Sequence, residues 1–274
     1  MIKLPRIEKW EKKLTWIISI ILGIIIVTIA FFVGFNSMIF DELILLAIAA
    51  TFFPPSVVDY LDYRWKKSID EHLPDLFRTI VQAEQTGMTL YQALEEAANR
   101  DYGPLTKELR KMVAQISWGM TLEEALRSFS KRVNTVLVQR TVPLIIEANR
   151  SGGRIEKVFK PLGDFVQTTL LLEKERKTRT RPYIAIIYVA FYVFLFTMVL
   201  LFKTFFVNIE GMPVLGSAIM GEEETKRVFF HIGIIQALFG GLIAGKMGEG
   251  TISAGLKHSL VMLLSVYLVF KFIL

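Results

Sequence analysis

Apolar and polar positions are distributed along this chain on two scales. On the long scale, polar residues vanish from whole stretches. Residues 14–40 carry no charged side chain, and at about 1.5 Å per helical residue that run exceeds a hydrocarbon core of roughly 30 Å. It reads as an anchoring span. The rival reading, a cleavable signal peptide, expects a shorter apolar run followed by a small-residue cleavage site. A second run, residues 43–58, is shorter and closes on Pro54-Pro55. It is read as a span, with a re-entrant arm or an interfacial helix as alternatives. Residues 182–202, 228–245 and 258–270 form three further apolar runs.

On the short scale, residues 59–181 show helical periodicity and no sustained period-two alternation, so this interval is expected to be all helix. A first helix over residues 70–86 turns Leu73, Leu76, Phe77, Ile80 and Val81 inward and stops at Gly87. A second follows Thr89 to about residue 100. A third opens on Pro104 and stops at Gly119, and a fourth follows Thr121 to about residue 131. A fifth covers residues 135–151 and ends at Gly152-Gly153, and a sixth runs from about residue 154 toward 172.

Two of these joints are one phrase written twice. Gly-Met-Thr-Leu-x-x-Ala-Leu occurs at residues 87–94 and 119–126. The Gly suits a left-handed helix stop and the Thr suits the cap of the next helix. Gln92 and Glu124 stand three residues after Thr89 and Thr121, where a side chain reaches back to the cap amide and completes a capping box. Two copies are too few for a stacked repeat array.

The fold class this predicts is an all-α membrane protein, with about five transmembrane helices and a cytosolic six-helix bundle inserted between the second and third. The expected divisions are a basic N-terminus at 1–13, two membrane segments in 14–58, the bundle at 59–181 and three membrane helices in 182–274. An apolar share of 53% and a mean hydropathy of +0.45 agree, being high for a soluble chain of this length.

Charge adds the orientation. Lys3, Arg6, Lys9, Lys12 and Lys13 crowd the N-terminus, whereas residues 36–42 hold only Asp41 and Glu42. Because Lys and Arg resist translocation, the N-terminus is placed in the cytosol and, after five crossings, the C-terminus outside the cell membrane. Residues 59–181 carry 21 Lys and Arg against 17 Asp and Glu and return to the cytosolic side. The net charge of +6 lies mainly along membrane flanks, where it serves topology and lipid contact, so no nucleic-acid partner is expected.

Catalytic equipment is missing from the sequence. There is no phosphate-binding Walker loop, no nucleophile elbow and no His-Glu-x-x-His. With no Cys and with His72, His231 and His258 isolated, neither a metal site nor a cofactor is expected. A proton-coupled transporter should bury ionisable groups inside its spans, and only His231 interrupts the apolar runs. Ala237, Gly241 and Gly245 recur at i, i+4 and i+8, a ridge for close helix packing within the chain or against another subunit.

In combination, three features carry a family resemblance: the two Gly-x-x-Leu-x-x-Ala-Leu joints, the segment Leu-Ile-Ile-Glu-Ala-Asn-Arg-Ser-Gly-Gly at 144–153, and the basic run Lys-Glu-Arg-Lys-Thr-Arg-Thr-Arg at 174–181 ahead of a span. The chain resembles the F-domain platform proteins of type II secretion systems, type IV pili and archaella, especially the single-domain, TadC-like branch. Its Gly-rich stretch at 240–250, with Gly-Leu-Lys-His at 255–258, is similar to the archaeal end of that family. The resemblance implies a non-enzymatic membrane scaffold that contacts a hexameric secretion ATPase and couples its motion to the assembly of pilin-like subunits. A single bundle in place of two implies a second platform subunit or self-association. The alternative class is a small polytopic transporter or regulatory membrane protein.

Candidate contact residues for the ATPase or for lipid are the basic side chains Arg64, Lys66, Lys67, Arg127, Lys131, Arg132, Arg150, Arg154, Lys174, Arg176, Lys177, Arg179 and Arg181. The positive-inside rule and headgroup contact also account for the two flanking groups, 64–67 and 174–181. Glu147 is expected to meet Arg150 or Ser151 one turn on. Gly87, Thr89, Gly119, Thr121, Gly152 and Gly153 are assigned to helix punctuation.

Overall fold

A computed structural model describes residues 7–34, 38–150, 156–209, 222–251 and 253–273. The described residues form nine helices and no strand: α1 (Lys9–Val33), α2 (Met38–Gln85), α3 (Leu90–Ala98), α4 (Pro104–Ser117), α5 (Leu122–Val133), α6 (Val136–Arg150), α7 (Glu156–Ile209), α8 (Glu222–Glu249) and α9 (Gly255–Phe272). Five of them, α1, α2, α7, α8 and α9, are long and apolar enough to cross a membrane.

The main departure from the sequence reading is continuity. The short second span and the first bundle helix are a single helix, α2, which passes through Pro54, Pro55 and Pro74. Likewise the sixth bundle helix and the third span are one helix, α7, through Pro161 and Pro182. Each proline removes one amide donor, but a broken helix in an apolar setting would orphan more backbone groups than a continuous one. Polar side chains line the same stretch: Thr51 Oγ1 donates to the Ala47 carbonyl at 2.8 Å and Ser56 Oγ to that of Phe52 at 2.6 Å. The first span is also shorter than expected, since α1 ends at Val33 and Gly34 takes φ 99°.

The chain forms two compact units, one of Leu61–Arg176 and one of Ile7–Tyr60 with Lys177–Leu274. In the first unit, α3 to α6 and the adjoining parts of α2 and α7 surround one apolar core. Ile69, Leu73, Ile80, Leu105, Leu109, Met112 and Val133 are fully buried there, and the rings of Phe77 and Phe159 meet edge to face, centroids 5.5 Å apart. Registry follows from a few contacts. Gly103, just before α4, lies against His72 of α2; Thr135, just before α6, bonds to Asp70 of α2 at 2.6 Å. Thus α4 and α6 start level with the same turn of α2 and end level with its C-terminus. The joints α2–α3 and α4–α5 and the end of α6 therefore share one end of the bundle, opposite the end where the chain enters at Leu61 and leaves at Arg176.

In the second unit, Phe191, Leu195, Ala237, Met262, Leu263, Val266 and Phe270 form a separate core. Most of the large side chains of α1 are exposed, Phe32 at 87%, while its small residues Ser19, Gly23 and Ala30 are buried, Gly23 against Thr51 of α2. An apolar exterior over a small-residue interior is the pattern of a helix that faces lipid.

Candidate functional site

The shared end of the bundle is built by the repeated phrase. At the first joint Gly87 takes φ 84°, its amide donates to the Glu84 carbonyl at 2.8 Å, and the Met88 amide donates to that of Ala83 at 3.2 Å. At the second, Gly119 takes φ 98°, with the Gly119 amide on Ile116 at 2.9 Å and the Met120 amide on Gln115 at 3.1 Å. Both are Schellman stops, which satisfy the last carbonyls of the incoming helix. Each runs directly into a capping box. Thr89 Oγ1 accepts from the Gln92 amide while Gln92 Oε1 accepts from the Thr89 amide, and Thr121 and Glu124 repeat the exchange. A Cβ at Gly87 or Gly119 would meet nothing within 4 Å, so backbone handedness alone demands glycine there.

The same joints carry large apolar side chains outward. Trp118 is 89% exposed, and Met88 and Met120 are also exposed. Beside them Glu123, in the first turn of α5, accepts from two guanidiniums. Arg127 reaches it from one turn on at 2.9 Å, and Arg150 from the end of α6 at 2.7 Å. Hydrogen bonds from Arg150 and then Arg127 hold the Glu123 carboxyl below the usual carboxylate range. Arg150 thus reaches across the helix pair through Nε and Nη2; Ser151, one of the two partners expected for Glu147, lies outside the described residues, as do Gly152, Gly153 and Arg154.

The remaining basic candidates disperse. Arg132 turns inward: it donates to Glu108 at 2.9 Å, to Gln115 at 3.0 Å and to Ser128 at 2.7 Å, and Glu108 is fully buried. Its guanidinium is thus engaged within the α4–α5 pair, while Lys131 is exposed. Lys66 pairs with Asp62 at 2.9 Å and Lys67 with Glu71 at 3.5 Å, and Arg64 is exposed. Lys174, Arg176, Lys177, Arg179 and Arg181 all fall within α7, the first two in one unit and the last three in the other.

In the second unit the ridge of Ala237, Gly241 and Gly245 packs within the chain. Ala237 is fully buried, and a Cβ on Gly241 or Gly245 would overlap the backbone of Ser259 or Gly255 in α9. The ridge therefore seats the α8–α9 hairpin. His258 shares a 2.8 Å hydrogen bond with the Tyr188 hydroxyl. His231 meets Asp41; in the first unit, half-buried His72 contacts the Ser68 carbonyl at 2.6 Å.

Residues 65–202, just over half of the chain, match the family described as Type II secretion system (T2SS), protein F. The chain belongs to that family. Its members are membrane platform proteins of type II secretion and type IV pilus-type systems, and the five apolar helices agree with a multi-pass membrane protein. An uncharacterized protein of Methanocaldococcus jannaschii is 26% identical over 98% of this chain, and the chain spans 46% of that relative's length. No solved structure matches.

For this T2SS protein F family member, three features escaped the sequence reading. Trp118 precedes a helix stop and gave no periodic signal. The Arg150–Glu123 bond joins residues 27 apart in sequence. Asp41, used in the sequence only as an acidic mark between the first two apolar runs, is buried against Arg227 at 3.0 Å and His231 at 3.1 Å. Only its place at the lip of an apolar run could have marked it.

Proposed function

We propose that this chain is a non-enzymatic platform subunit of a type IV pilus-like or type II secretion-like filament assembly machine. In this reading residues 59–181 are the cytosolic F domain. They dock a hexameric secretion ATPase, and the membrane helices within 14–58 and 182–274 relay its motion to pilin-like subunits. The N-terminus is cytosolic and the C-terminus outside. The observation that carries the reading is the family match over residues 65–202, which takes in the helical bundle and the apolar stretch of α7.

The bundle end bearing Trp118 is the docking surface in this proposal. An exposed Trp flanked by fixed Arg side chains has the composition of a binding hot spot, and held charges at the rim speed encounter. The end lies opposite the two points where the chain leaves the unit, which suits a soluble partner. The need for a second platform subunit, or a second copy, is supported by a relative about twice this chain's length.

Co-purification of the full chain in detergent with a candidate ATPase tests the reading. The ATPase should travel with the chain, and Trp118→Ala combined with Arg150→Glu should weaken the association roughly tenfold or more. A chain that hydrolyses nucleotide unaided, or a tag at residue 110 reporting outside the cell, would overturn it.

A further inference from the structure

At one rim of the membrane unit, the start of α2, the start of α8 and the end of α9 enclose a pocket of about 140 Å³. Its polar wall is ionic. Asp41, only 4% exposed, is held by Arg227 Nε at 3.0 Å and by His231 Nε2 at 3.1 Å. Glu42 faces Lys271 at a loose 3.7 Å. Lys226 also lines the pocket, half-buried and with no ion-pair partner among the described residues. The other wall is aromatic, with Phe230, Phe270 and Tyr267.

These walls specify an occupant. The three cations outnumber the two carboxylates, so the lining carries one surplus positive charge. A half-buried, unpaired ammonium is costly and is relieved by an anion. The volume exceeds what one water needs and admits a phosphate group. The aromatic wall belongs to the buried apolar core through Phe230 and Phe270, and the same two helices expose Ile232 and Ile235 on α8 and Leu264 and Leu268 on α9. A single molecule with a monoanionic phosphate head and a hydrocarbon body matches all of this, and membrane ends rimmed by Lys and aromatic side chains are where such heads reside.

We propose that this pocket binds the phosphodiester headgroup of an anionic lipid. Lys226 and Lys271 contact the phosphate, Arg227 stays fixed by Asp41, and Phe230 and Phe270 seat the beginning of the hydrocarbon. The bound lipid cross-links α2, α8 and α9 at their ends, whether or not the platform reading holds.

The test is native mass spectrometry of the full chain released from nanodiscs of phosphatidylcholine containing a minor fraction of phosphatidylglycerol. Wild type should retain phosphatidylglycerol in preference. The double variant Lys226→Gln, Lys271→Gln should lose that preference by roughly tenfold or more, from about 1 kcal/mol per basic residue at an anionic surface. Should the double variant fail to fold, Lys226→Gln alone must lower retention and Lys226→Arg must keep it. Equal retention of both lipids by wild type overturns the proposal, and so does unchanged retention by folded Lys226→Gln. Displacement of the lipid by inorganic phosphate, with a matching rise in melting temperature from phosphate alone, would assign the pocket to the free anion instead.

Discussion

Thr135 Oγ1 donates a 2.6 Å hydrogen bond to Asp70 Oδ1, while the same oxygen accepts from the Val138 amide at 3.2 Å. One hydroxyl thus caps α6 and ties it to α2. The carboxylate it serves is in an unfavourable place. Burial pushes the Asp70 carboxyl up to about 6, despite the opposing hydrogen bond from Thr135.

A pH dependence follows. Because the folded carboxyl holds its proton more tightly than the unfolded one, Asp70's contribution to stability is complete below about pH 4. It is lost as pH rises through about 6, by about 2 kcal/mol after allowance for partial exposure. Asp70→Asn keeps an acceptor for Thr135 and cannot ionise. Thermal unfolding of the full chain in detergent at pH 4.5 and 7 should show that this variant gains stability at neutral pH and has a flatter profile between the two. A profile identical to wild type would mean that the carboxyl is better solvated than its position indicates.

The two joints should respond as a matched pair. Gly87→Ala and Gly119→Ala each place a Cβ on a residue with φ of 84° or 98° in open space. The cost is then conformational alone, about 1 kcal/mol apiece. Thr89→Ala and Thr121→Ala each remove one capping box, for about 1 kcal/mol. Melting temperatures of the four single variants should cluster. A Gly119 variant much worse than its Gly87 counterpart would reveal a contact at the second joint that its open surroundings lack.

These joints were the most legible part of the fold because their information is local. A Gly, a Thr and a Gln or Glu at fixed spacing specify hydrogen bonds within six residues. The spans were legible for a similar reason, since each is an unbroken apolar run. Continuity was not, because Pro54-Pro55 and Pro182 punctuate the sequence as though they bounded helices, while the cost of orphaned backbone in apolar surroundings favours running through them. The candidate site was legible only in part. Arg127 and Arg150 could be picked out as surface cations, but that both converge on Glu123 depends on α5 and α6 lying antiparallel, and that Arg132 turns inward depends on the α4–α5 pair.

The α8–α9 hairpin should tolerate nothing larger than glycine at two positions. A Cβ at Gly241 overlaps the backbone of Ser259, and one at Gly245 overlaps that of Gly255; neither neighbour is a flexible side-chain tip that can swing aside. Gly241→Val or Gly245→Val should therefore force the helices apart, at roughly 3 kcal/mol or more, and be read as lost monodispersity and faster proteolysis at residues 249–255. Gly240→Ala is the control, because its nearest neighbour is the Met262 sulfur at 3.5 Å, an ordinary contact. If the control and the two valine variants behave alike, α9 is not held through this ridge.

Arg132 offers the sharpest separation between a structural and a docking role for the basic residues. Its guanidinium bonds to Glu108 at 2.9 Å, and Glu108's side chain is 2% exposed. The second cation near that carboxylate, Lys111 at 3.5 Å, approaches from the solvent side and is itself exposed. Removing the guanidinium in Arg132→Ala takes the closest cation away from a buried carboxylate, a loss of about 3 kcal/mol. Glu108→Gln in the same chain should recover much of it, since a neutral amide leaves no uncompensated charge in the buried site. Arg127→Ala and Arg150→Ala act at Glu123, a partly exposed surface carboxylate, and should move the melting temperature far less, whatever they do to partner binding. A double-mutant cycle on 108 and 132, with partner co-purification measured in parallel, separates the two roles. If Arg132→Ala weakened partner association at unchanged stability, the residue would belong to the contact surface after all.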